Sequence, residues 1–204
     1  MYEFSVPLAV TDFIPVFLFG IAAVLMQRDL YNKMPKYSFA CFSAGCVNMF
    51  MAGFLKALWK LLYALGVCDF HVLNTMFLPT QSLGLLLAGL GIVIMFIGRR
   101  KAALAVAPPV FSGTMVFVTM MVVGLGAICG SLSALAVKMQ KKKLILVFVL
   151  CFFCYMGMGY LASREGNSAA MNWVEQGVNT LGQVLLLIGV LALHRAGLRD
   201  YQLS

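Results

Sequence analysis

Four side chains able to hydrogen-bond a solute, one of them a carboxylate that can also move a proton, recur at spacings of 3, 4 and 4: Asn172, Glu175, Asn179 and Gln183. They sit within residues 169–191, AAMNWVEQGVNTLGQVLLLIGVL, an otherwise apolar stretch. On a helix this spacing makes one polar stripe. The stretch is also long enough to cross a hydrocarbon core of about 30 Å. A carboxylate in that setting is costly unless it faces protein, water or a partner. Glu175 is therefore the leading functional candidate: solute ligand, proton relay or general base. The structural alternative is a stripe that only joins helices through side-chain hydrogen bonds.

Other polar groups interrupt apolar runs. Asp12 lies in the first run, residues 6–26, three positions before Pro15. Proline has no N–H to donate, so a kink and an unpaired carbonyl near residue 11 are expected. Asp12 itself is either a helix-start residue at the interface or part of a site. In the second run, from residue 37 to at least 58, Asn48, Lys56 and Lys60 are spaced by multiples of four and fall roughly on one face. Each lysine either snorkels to the headgroups or stays in the bundle, with Glu175 or Asp12 as its counter-charge. Trp59 and Tyr63 fit an aromatic belt. Gln81 and Ser82 open the third run, residues 76–98, and Tyr155 and Tyr160 mark the second half of the run 144–162.

These groups need a scaffold, and composition names it. The 204 residues are 62% hydrophobic and 11% charged, against about a quarter charged in a soluble domain. An all-α, polytopic membrane helix bundle of about six transmembrane segments follows, with residues 1–204 as a single integral-membrane domain. The net charge of +8 does not call for nucleic acid. The basic residues cluster at segment ends, as in cytoplasmic loops facing anionic lipid. The first run has Glu3 before it rather than a basic region, so it reads as a retained helix.

The run 107–137 has 31 residues, too many for one upright span and too few for two. Its middle carries Gly124, Gly126 and Gly130, the last two a GxxxG. If it crosses once, Lys and Arg divide seven to eight between the two sides. If it leaves and returns on one side as a broken, re-entrant pair, twelve share a side and only Lys56, Lys60 and Arg164 oppose them. The positive-inside rule favours the second arrangement. Base rates favour the first, a single tilted helix.

Several chemistries find no pattern here. The glycines match neither a phosphate nor a dinucleotide loop, and HExxH and GxSxG are absent, so no cofactor is expected. His71 and His194 lie far apart near segment ends, which gives no metal site. Cys151 and Cys154 form a CxxC inside an apolar helix, a poor setting for thiol redox chemistry.

With the N-terminus outside and the run 107–137 returning on its own side, the polar residues of all segments fall in the outer half of the bilayer. That layout suits a one-sided pocket for a small polar solute rather than a through-going pore. The function expected is membrane transport or recognition of such a solute. The alternatives are an ion or proton channel with Glu175 as gate or relay, a sensor, and an intramembrane enzyme acting on lipid. In the enzyme, Glu175 or Asp12 would be the base and Lys56 or Tyr155 would aid a developing anion. In size and in its one-sided pocket the chain is similar in layout to the vitamin-recognising membrane subunits of energy-coupling transporters, a likeness that involves no motif. The partners expected are the bilayer, a small polar solute, and either a larger membrane complex or a second copy through small-residue faces at Gly84 and Gly126. The membrane expected is the plasma membrane of a bacterium.

Overall fold

The computed structural model describes residues 5–97, 114–162 and 169–202. The first span is split into α1 (Val6–Thr11) and α2 (Phe13–Leu30). Asp12 sits at the join, where Pro15 cannot donate back to the Thr11 carbonyl. The remaining spans are α3 (Lys36–Ala64), α4 with α5 (His71–Thr75, Phe77–Ile97), α6 (Thr114–Lys138), α7 (Lys143–Ala162) and α8 (Ala169–Arg195). The protein is an all-helical membrane bundle with six helical spans.

Residues 114–137 are one unbroken helix in α6, not a re-entrant pair; residues 107–113 lie outside the described residues. The glycines at 124, 126 and 130 do not break it, because neighbouring turns keep their hydrogen bonds and packing fixes the path. Its direction is the unexpected feature. Gly124 packs against Leu85 and Leu86, Gly89 meets Ala127, and the Lys138 ammonium lies 6.0 Å from the Phe96 ring centre. Register climbs together on both helices, so α5 and α6 run parallel. Ile97 and Thr114 therefore lie at opposite ends of the bundle. The six spans point down, up, down, then down, up, down.

The helices close into a ring in the order α2, α3, α5, α6, α7, α8 and back to α2. Outside the ring, Val24, Met115, Phe153 and Ile188 are exposed, as suits lipid. Lipid tails are as apolar as leucine, so close van der Waals contact must hold the ring together. Glycine provides it on one side. A Cβ on Gly45 would lie 2.5 Å from the Gly84 carbonyl oxygen, and one on Gly91 would lie 2.6 Å from the Phe42 nitrogen. The small face at Gly84 is therefore filled by α3 and is not free for a second copy. The GxxxG at Gly126 and Gly130 does not join helices in the same way: Gly126 meets only Phe152 at 3.7 Å and Gly130 has nothing within 4 Å.

One end of the ring is basic. Arg28, Lys33, Lys36, Lys138, Lys141, Lys142, Lys143, Arg195 and Arg199 gather there, and α5 ends there at Ile97. This is the charge partition that the re-entrant reading required, reached instead by parallel helices. Buried Asp29 accepts from His194 Nδ1 at 2.9 Å, while Arg28 Nη2 lies 2.8 Å from Nε2. The tail after α8 is tied down too. Lys33 Nζ donates to the Arg199 and Tyr201 carbonyls, and Tyr201 donates its hydroxyl proton to the Lys138 carbonyl at 3.1 Å.

At the opposite end Trp59 is not an interface residue. It is 1% exposed, and its indole N–H donates to Asp69 at 2.8 Å. The 66–74 loop folds back over α3 and supplies that carboxylate, which removes Trp59 from the belt.

Candidate functional site

The break at Asp12 is the cornerstone of the site. It turns a carboxylate inward near the end of α1, where Lys60 of α3 meets it at 2.6 Å. The carbonyl orphaned by Pro15 is also satisfied: Gln176 of α8 donates its amide N–H to Thr11 O at 2.8 Å. Gln176 was not singled out in the sequence, although the orphaned carbonyl was expected. Its signal is the spacing of four from Asn172, which places it beside the stripe.

Between these groups, at the end opposite the basic cluster, lies a cavity of about 100 Å³. That is room for several ordered waters or a solute of a handful of non-hydrogen atoms. Asp12, Lys56, Gln81, Tyr155, Asn172, Glu175, Asn179 and Gln183 all line it, together with Lys60 and Gln176. They come from the α1–α2 join and from α3, α5, α7 and α8. Asn48 does not line it. Eight residues of helix turn past two full turns by about 80°, whereas seven fall about 20° short. Met49, not Asn48, therefore shares the face of Lys56 and lines the cavity. Ser82 also stays out of it, with its hydroxyl donating to the Leu78 carbonyl at 2.6 Å.

The charges are arranged unevenly. Asp12 and Lys60 pair with each other. The Lys56 ammonium lies 4.0 Å above the Phe77 ring, a cation–π contact that lets a charge remain off the headgroups. Glu175 faces the cavity from α8. Among the described residues, neither Lys56 nor Glu175 has an ion-pair partner within 4.0 Å.

Five buried side-chain atoms have no hydrogen-bond partner among the described residues, and four of them belong to this cavity: Asp12 Oδ1, Gln81 Oε1, Tyr155 OH and Gln183 Oε1. Leaving such a group unsatisfied costs about 1–3 kcal/mol. Beneath the cavity polarity ends. Phe19, Met26, Phe42, Leu125, Ile128 and Leu186 surround a void of only about 10 Å³. The CxxC lies beside this floor as packing: Cys151 is buried and donates its thiol proton to the Gly182 carbonyl at 3.4 Å.

Asp29 and His194 are the other polar pair that sequence reading missed. Both fall in stretches that look like basic loop ends, and nothing local marks the carboxylate as buried. Rising about 1.5 Å per residue, α2 carries Asp29 about 26 Å from Asp12, so the two polar clusters occupy opposite ends of the ring.

The chain matches no family model, no curated protein and no solved structure.

Proposed function

We propose that the protein recognises or transports a small polar solute, which it takes into a one-sided pocket among α2, α3, α5, α7 and α8. The observation that carries this reading is the set of four unpartnered buried polar atoms, from four different elements, around one cavity. Buried polar groups are ordinarily hydrogen-bonded, and a polar solute would satisfy all four together. Glu175 is the central ligand, with Asn172, Asn179 and Gln183 orienting the solute. By the positive-inside rule the basic end faces the cytoplasm and the pocket opens outside. A bacterial inner membrane suits such compact basic loops. The apolar floor argues against an open channel, which would carry polar groups to both faces. For the enzyme reading, the pairing of Asp12 with Lys60 leaves Glu175 as the carboxylate available as a base.

The test is mass spectrometry of small molecules retained after gentle purification, for the wild type and for Glu175→Gln. A compound carried by the wild type and lost from the variant is expected. Folded protein of both kinds carrying only bulk lipid would overturn the proposal.

A further inference from the structure

Among the described residues, the charges that line the pocket sum to zero, and their placement narrows the class of solute. Two carboxylates, Asp12 and Glu175, and two ammonium groups, Lys56 and Lys60, line one small cavity. Asp12 and Lys60 neutralise each other at 2.6 Å. That leaves one cation on α3 and one anion on α8, both facing the cavity and held apart by more than an ion-pair distance among the described residues. Opposite charges sharing a small, partly dry cavity attract strongly. Two features keep Lys56 from closing on Glu175: its ammonium rests over Phe77, and Glu175 belongs to the facing helix. The space between them is the cavity itself.

We infer that the solute is a small zwitterion, carrying an anionic group to Lys56 and a cationic group to Glu175. This rests on the pocket being a solute site. A singly charged solute would pair one of the two groups and leave the other a desolvated, uncompensated charge, a costly arrangement. A neutral solute would leave both. A zwitterion compensates both at once and leaves the pocket's net charge at zero. Its remaining polar surface meets Asn172, Asn179, Gln183 and the Tyr155 hydroxyl. The volume of about 100 Å³ suits a solute about the size of the smallest amino acids or betaines.

The full chain in nanodiscs is titrated with a panel of small zwitterions (glycine, alanine, β-alanine, glycine betaine) and with acetate and methylammonium, the two charged halves of glycine. The wild type is expected to hold at least one zwitterion tenfold or more tightly than either half. Glu175→Gln leaves the pocket positive and moves preference to acetate; Lys56→Gln leaves it negative and moves preference to methylammonium. Glu175→Asp keeps the charge and retains the zwitterion preference, which separates lost charge from lost folding. If acetate or methylammonium binds the wild type as well as every zwitterion does, the class is wrong while the pocket stands. If no probe binds and the purified protein carries no small molecule, both readings fall.

Discussion

The two sides of the ring are built differently. Where α3, α5 and α6 meet, Gly45, Gly89, Gly91 and Gly124 bring backbones into contact, with no room for a Cβ. Where α7 meets α8, the close approaches are to side chains rather than backbone: a Cβ on Gly189 would lie 2.5 Å from the Phe148 ring and one on Gly182 3.3 Å from the Cys154 Cβ, while Gly157 approaches Val178 at 4.0 Å and Gly159 and Gly177 have nothing within 4 Å. In lipid, where burial of apolar surface gives little drive between helices, the first side is held by packing. The second side packs on α6 through α7 and on the first span through α8, where Gln176 reaches Thr11 and His194 reaches Asp29. The polar stripe lies on this looser side, and the pocket lies between it and the α3–α5 wall. Across the pocket, the polar side chains of α8 face the lysines of the α3–α5–α6 wall.

Breaking the ion pair between the first span and α3 has the largest expected effect. Lys60→Met leaves Asp12 buried and uncompensated, and a loss of about 3–5 kcal/mol is expected. Asp12→Asn combined with Lys60→Met recovers most of it. Unfolding of both variants in detergent reads the difference, and equal stability would show that the pair contributes nothing.

Next comes the packed wall. Gly91→Ala pushes a Cβ onto the Phe42 backbone, and overpacking of this kind costs about 1–3 kcal/mol. Gly177→Ala, on the loose side, is expected to change stability by less than about 0.5 kcal/mol. The same thermal melts compare them, and similar shifts for both would erase the contrast between the sides.

A smaller effect belongs to the amide that bridges them. Gln176→Leu removes the donor for Thr11 O, with an expected cost of about 1–2 kcal/mol. Amide exchange in residues 6–16 should quicken in that variant, while α3 and α5 stay protected. Unchanged exchange would mean that the carbonyl has another partner.

How much of this was legible in the sequence follows from the contrast of polar against apolar. The spans are legible because about 20 apolar residues in a row have few other uses, and the pocket residues because a glutamate or glutamine stands out in such a run. Eight of the nine residues singled out for a site line one cavity, with Asn48 turned away by helical drift. The parallel course of α5 and α6 is not legible, since close approach at Gly89 and Gly124 sets it and many membrane helices carry glycines. Gly126 and Gly130 had the better motif and make the weaker contact. Gln176 escaped notice because its partner is a backbone carbonyl 165 residues away, and Asp29 because a loop charge and a buried charge look alike in one dimension.

The central claim is a pocket with a closed floor, and methionine oxidation tests it without altering the chain. Met158 lines the cavity, and Met26 lines the floor and is 3% exposed. Hydroxyl-radical footprinting of the protein in nanodiscs, read by mass spectrometry, is expected to oxidise Met158 readily, to slow there when solute is bound, and to leave Met26 protected throughout. Oxidation of Met26 at the rate of Met158 would mean that water crosses the floor, and would contradict a one-sided pocket.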